Sequence, residues 1–198
     1  MTKENLIDGI LKTLRNAQEL CDESEILLKN GKFARSYTLS HLAREEFSKC
    51  FILYRPIVEL IRGNQIDWKK IRRRYRSHKE KLISDRATTL HLFGNELEKK
   101  GIKKKELFSG IEKSNEWKNT SLYVDWNNNE FVMPSDSFSK EKAERNLEIA
   151  IYRISVFTPI FTELIQLTPE DEKKIKENNP KDELEQMIKK YCEDIFKE

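Results

Sequence analysis

Glycine and proline are scarce in this 198-residue chain, with six and five copies. So few breakers leave little room for a many-turned all-β fold. Cysteine is scarcer still, and Cys21, Cys50 and Cys192 lie far apart with no CxxC pair. A sparse, odd set points to reduced thiols in an intracellular protein rather than to a disulfide framework. No run approaches the roughly 20 apolar residues of a membrane span. The N-terminal MTKENLIDGILKTL holds no apolar stretch long enough for a signal peptide. A soluble, cytoplasmic protein without membrane association is expected. P-loop, GxGxxG, GxSxG, HExxH and paired CxxC motifs are also missing, so neither cofactor nor metal is expected. Nor is there a strong excess of one charge: 37 basic against 34 acidic residues give +3. This balance does not by itself argue for nucleic-acid or membrane binding.

What the chain has is charge laid along helical periodicity. The charged fraction, 36%, nearly equals the hydrophobic fraction, 37%, as amphipathic helices with large solvated faces produce. At this length one domain with an appended terminal piece is the default. We expect a helical domain over 1–167, then C-terminal helices over 168–198 packed on it or on a partner subunit. Leu6, Ile7, Ile10, Leu11, Leu14, Ala17, Leu20, Cys21 and Leu28 recur at helical spacing, and Asn30-Gly31 ends that helix. A second helix runs from about Lys32 to Arg62, kinked or ended by Pro56. Asp67 can cap the next helix, yet Ser77-His78-Lys79-Glu80 also fits an S-x-x-E capping box. Either one helix begins near Asp67 and reaches about Lys100, or a new one begins at Ser77. A shorter lysine-rich helix covers Lys103 to Lys118. Leu122–Trp126 and Phe131–Met133, joined by Asn127-Asn128-Asn129, read as a small hairpin packed on the helices. Ser139 opens a long helix to about Leu167, bent at Pro159. Thr168-Pro169 starts another, and beyond Pro180 a last amphipathic helix holds Leu184, Met187, Ile188, Tyr191 and Ile195. The expected fold class is mainly α, an elongated bundle with one small β-hairpin near 122–133.

Two constellations could carry chemistry. The first is Glu45, Glu46 and Lys49, inside GKFARSYTLSHLAREEFSKCFILYRP. At about 100° per residue, Leu39 and Leu53 lie within about 20° of Glu46, and Leu42 and Cys50 within about 40°. Glu46 therefore points into the apolar stripe and needs a partner, because an unpaired buried charge is costly. Lys49, one turn on, is the nearest. The trio reads either as a structural ion pair or as a polar pocket serving a substrate. His41 and Glu45 have a spacing that suits a metal, but two side chains do not make a site. The second constellation is Arg72-Arg73-Arg74-Tyr75-Arg76-Ser77-His78-Lys79. Most charge runs are solvated faces. Clustered Arg with Tyr also suits RNA backbone contact and base stacking, which nominates Arg72, Arg74, Tyr75 and Arg76. Arg73 and His78 make an R-x4-H pattern, with histidine as acid or base and arginine on phosphate. On one straight helix they stand about 140° apart. They converge only if a helix starts near Ser77 or a second subunit completes the site. In Tyr123-Val124-Asp125-Trp126, aromatics packed on the core are the preferred reading over a catalytic Asp125.

Taken in order, Asn16-Ala17, the run Asn30 to Lys49 (NGKFARSYTLSHLAREEFSK), His78-Lys79-Glu80-Lys81, and Leu122-Tyr123-Val124-Asp125-Trp126 with Pro134 resemble the abortive-infection V (AbiV) family of bacterial antiphage proteins. These pieces span most of 16–134. The resemblance implies an HEPN-like helical bundle; many such proteins are dimeric, and some are metal-independent ribonucleases with an R-x4-6-H motif. It implies a phage-triggered defence effector that shuts down gene expression, possible catalytic residues Arg73 and His78, and a supporting pocket of Glu45, Glu46, Lys49 and Lys79. The partners implied are a second copy of the chain, a phage-encoded activator, and RNA or the ribosome. The sequence departs from the usual motif in having Arg74 after the motif arginine, and in placing the motif mid-chain. The rival expectation is a non-catalytic protein that binds a phage protein and blocks the translation machinery.

Overall fold

The structure, a computed structural model, describes residues 1–101 and 103–177. Helix α1 spans Lys3–Lys29, with the Thr2 side chain accepting from the Asn5 N–H. Its apolar face holds Leu6, Ile10, Leu14, Ala17 and Cys21, all buried. It stops at Asn30, and Gly31 turns the chain at φ +72°, a left-handed conformation that glycine adopts without penalty.

Helix α2, Phe33–Ile61, is the axis of the molecule. Helices α1, α3 (Trp68–Arg76), α4 (His78–Lys99), α5 (Lys104–Leu122), α6 (Pro134–Ser137), α7 (Lys140–Glu163) and α8 (Pro169–Glu177) all touch it. Pro56 neither ends nor splits α2. The main core lies between α1, α2 and α7. There Phe47, Phe51, Phe157 and Phe161 interleave, with ring centroids 5.0–6.2 Å apart, each fully buried ring contributing about 1.5–3 kcal/mol. At Gly9 a Cβ would stand 3.2 Å from Leu53 Cδ1, so a larger residue there would require the Leu53 side chain to shift by a few tenths of an ångström.

The two starts open to the sequence around Asp67 and Ser77 are both used. Asp67 caps α3, and Ser77, at φ −79° and ψ 120°, ends α3 and caps α4 through the Glu80 N–H. Helix α4 is interrupted at Phe93. A short turn of 3-10 helix, Leu164–Gln166, comes after α7. Helix α8 packs back on this same chain through buried Ile175, through Arg62 Nε donating to the Ile175 carbonyl at 2.9 Å, and through a Lys3–Glu172 pair. The expected helix of Leu184 to Ile195 lies outside the described residues.

The hairpin forms where expected but does not pack on the core. Strands β1 (Asp125–Asn127) and β2 (Glu130–Val132) pair antiparallel, with Trp126 opposite Phe131. Asn128 and Asn129, at φ 50° and 67°, make the two-residue turn. Trp126 is 70% and Phe131 76% exposed, and Tyr123, Val124 and Met133 are also exposed. The alternating pattern found the hairpin but began its first strand too early, since Leu122 closes α5 and Asn127 belongs to β1 rather than to the turn, and it could not say what the apolar side faces. Among the described residues no helix is long and apolar enough to cross a membrane.

Candidate functional site

Three helices converge on one carboxylate. Glu45 on α2 is 1% exposed. The N-cap Ser77 starts α4 so that His78, its first residue, puts Nδ1 2.5 Å from Glu45 Oε2. One turn on, Lys81 Nζ lies 2.9 Å from the same oxygen. From α5, Lys118 Nζ reaches Glu45 Oε1 at 3.2 Å. His41, one turn back on α2, holds Nε2 3.4 Å from Oε1, within ion-pair range but without hydrogen-bond geometry. Burial pushes the Glu45 carboxyl up, but the nearby His41 ring, the Lys81 and His78 donors and the Lys81 charge outweigh it, and the group is held well below the usual carboxylate range. Burial, with Arg44 and Lys118 nearby, pushes His41 down against the pull of Glu45, so it is neutral.

That charge state fixes a tautomer. An ionised carboxylate only accepts, so the Nδ1 of His78 carries the proton and donates to Glu45. Lys118 Nζ, 3.4 Å from that same nitrogen, then donates to Glu45, not to His78. With Nδ1 committed, Nε2 is the ring atom left to accept a proton. His78 is also the one member of the cluster open to solvent, its side chain 56% exposed. One carboxylate facing two ammonium groups leaves the cluster net positive, which suits an anion beside the imidazole.

The other residues singled out by sequence are dispersed around this cluster. Glu46 and Lys49 pair with each other, not with His78. Asn16 Nδ2 donates to Glu46 at 3.1 Å, and the Lys49 ammonium lies 4.7 Å from the Tyr75 ring centroid. Tyr75 is therefore engaged beneath Lys49, with its hydroxyl 3.5 Å from Thr13 Oγ1. Arg74 pairs with Glu80 at 3.1 Å. Arg72, Arg73, Arg76 and Lys79 are exposed. The α3–α4 break meets the condition for Arg73 and His78 to share a face, but among the described residues no hydrogen bond or ion pair joins them.

Glu46 faces inward and pairs with Lys49 as the sequence suggested, but its neighbour Glu45 is the more deeply buried acid. A single-stripe helix would bury Glu46 and expose Glu45. Because α2 is covered by α1 and α7 on one side and by α4 and α5 on the other, its second face is interior too. Glu45 is the fully buried acid, and Glu46 is only partly covered. Lys118 was missed as well, since only tertiary packing brings α5 to α2. The same is true of a second buried network. Asp85 binds Arg44 at 2.7 Å and also Arg153, while Arg44 donates to Asn146 at 2.8 Å. Among the described residues no cluster of three or more His, Cys, Asp or Glu side chains suits a metal.

Residues 5–154 match the family model HEPN_AbiV, described as AbiV. No curated protein and no solved structure matches the chain.

Proposed function

The chain belongs to the AbiV family of HEPN-like proteins, and with it to abortive-infection defence against phage; from that premise we propose a specific role for it. It is an effector, triggered by a phage-encoded protein, that shuts down gene expression in the infected cell by cutting RNA without a metal. The observation that carries this reading is the solvent-open His78 held on buried Glu45. Nε2 takes the proton of an RNA 2′-hydroxyl. The 2′-oxygen attacks the adjacent phosphorus, the P–O5′ bond breaks, and the departing O5′ takes a proton from water. The products are a 2′,3′-cyclic phosphate and a 5′-hydroxyl. Glu45 orients the imidazole and stabilises its cationic form, and the excess charge of Lys81 and Lys118 favours the phosphodiester. Arg73, with exposed Arg72, Arg76 and Lys79, holds the backbone. The working unit is a homodimer, in which Arg73 of a second subunit is available to complete the site.

The test is total RNA from phage-challenged cells. Discrete fragments with cyclic-phosphate ends are expected with the wild-type chain and not with His78→Ala of normal thermal stability. Protection that survives His78→Ala would overturn the catalytic reading.

A second reading has its own observation, the exposed pair Trp126 and Phe131, stacked with centroids 5.7 Å apart. An apolar patch of this kind suits a protein partner. In that reading the chain binds a phage protein and blocks the translation machinery without chemistry. Intact RNA alongside arrested protein synthesis would select it.

A further inference from the structure

Five large apolar side chains within one short segment lie outside the core. Tyr123, Val124, Trp126, Phe131 and Met133, in the hairpin and its flanks, are each more than half exposed. A single exposed apolar residue is ordinary, but a set of them on one projecting element marks an interaction surface. The strand register orders this surface. Trp126 and Phe131 share one face of the ribbon, and Asp125, Asn127, Glu130 and Val132 share the other.

The charge of the segment is as unusual as its exposure. From Ser121 through Ser139 there is no lysine or arginine, although 37 of the 198 residues in the chain are basic. Asp125, Glu130 and Asp136 stand there instead, all exposed, and among the described residues none of the three has an ion-pair partner. Arg35, at the root of the hairpin, is turned to the Leu122 carbonyl. The ribbon is thus a negative projection on a chain of net charge +3. Such a surface repels a nucleic-acid backbone and attracts a basic protein. Its root also lies close to the carboxylate cluster. Ser121 Oγ donates to the Lys118 carbonyl at 2.7 Å, and Lys118 is the α5 residue that reaches Glu45.

We propose that the hairpin is the docking surface for a basic phage-encoded protein. An apolar groove of that partner receives Trp126 and Phe131, and lysine or arginine side chains beside the groove meet Asp125 and Glu130. The two faces divide the work. Unpaired acids steer the encounter and set its rate, because long-range attraction acts before contact. The stacked aromatics hold the complex once formed, because large rings buried at an interface carry most of its binding energy. Charge therefore selects the partner, and apolar burial fixes its lifetime. The inference rests on the defence reading for the source of the partner, and not on RNA cleavage.

The test takes one phage against which the chain protects and produces each protein of that phage singly. Each is passed over the immobilised full chain on a biosensor. At least one is expected to bind and to carry a net positive charge. Asp125→Asn with Glu130→Gln is expected to slow its association about tenfold at low salt, to flatten the salt dependence, and to leave dissociation near the wild-type rate. Trp126→Ser with Phe131→Ser is expected to speed dissociation about tenfold. All four positions are exposed, so both variants should keep the helical circular dichroism of the wild-type chain. The proposal is overturned if no protein of the phage binds, if every one that binds is neutral or acidic, or if the acid variant associates at the wild-type rate. A fall from dimer to monomer in the acid variant also overturns it, since those acids would then meet a second copy of the chain. No RNA is read in this experiment, so its failure leaves the cleavage reading to be judged on its own.

Discussion

Glu45 is tolerated at 1% exposure because two lysines and His78 surround it. Glu45→Ala leaves Lys81 and Lys118 buried without a counter-charge and is expected to cost about 3–5 kcal/mol, read from the urea midpoint. The same cluster sets the acid response. His41 has a lowered pKa in the fold. The unfolded chain therefore binds a proton that the folded chain does not, and stability falls as pH drops through the ordinary histidine value of about 6.5. Glu45 is also lowered. Its stabilisation is present above the ordinary glutamate value of about 4.3 and is lost as pH falls further. Two steps of weakening are thus expected, one from about pH 7 downward and one below about pH 5. His41→Gln should remove the upper step and leave the lower; an unchanged upper step would assign it elsewhere.

Among the elements, the α3–α4 break matters most, because it decides where His78 stands. Ser77 ends one helix and caps the next, and both readings of the sequence there were parts of one answer. Its S-x-x-E pattern is only half a capping box. Ser77 accepts from the Glu80 N–H, but the Glu80 carboxylate turns to Arg74. Ser77→Ala is expected to cost about 1 kcal/mol through loss of the cap and, if the chain cuts RNA as proposed, to lower that cleavage more than the cost explains, since α3 and α4 can then merge and swing His78 off Glu45. Loss of stability with cleavage per folded molecule unchanged would limit Ser77 to a structural role. Helix α5 was followed only to Lys118 and runs a further turn to Leu122, whereas α1, α2 and α7 were legible because hydrophobic periodicity and end signals coincide. Burial on α2 was not, because periodicity reports one buried face and cannot announce a helix enclosed on several sides.

At the scale of the molecule, the bundle is closed around α2 while its hairpin projects the stacked Trp126–Phe131 pair into solvent. A two-stranded hairpin is marginal alone. Here it is fastened at its base, where α5 ends: Arg35 Nη1 donates to the Leu122 carbonyl at 2.8 Å, and Thr38 and Ser121 hydroxyls lie 2.8 Å apart. The base is thus held on α2 while the tip stays free, an arrangement suited to capture of another protein rather than to core packing. No periodicity argument could have distinguished these, because an alternating strand looks the same whether its apolar side meets its own core or a partner's surface. The double substitution Trp126→Ser with Phe131→Ser removes the exposed pair. Both side chains are more than two-thirds exposed, so the stability change should stay near 0.5 kcal/mol, as at ordinary surface positions, and the helical circular dichroism should not change. If the hairpin docks a phage-encoded partner as proposed, phage protection should be lost in this variant, and a phage-encoded protein captured by the wild-type chain should not be captured by it. The mass by light scattering should match that of the wild-type chain, which separates an activator-docking patch from a dimer interface. A fall from dimer to monomer in this variant would reassign the hairpin to contact between two copies of the chain.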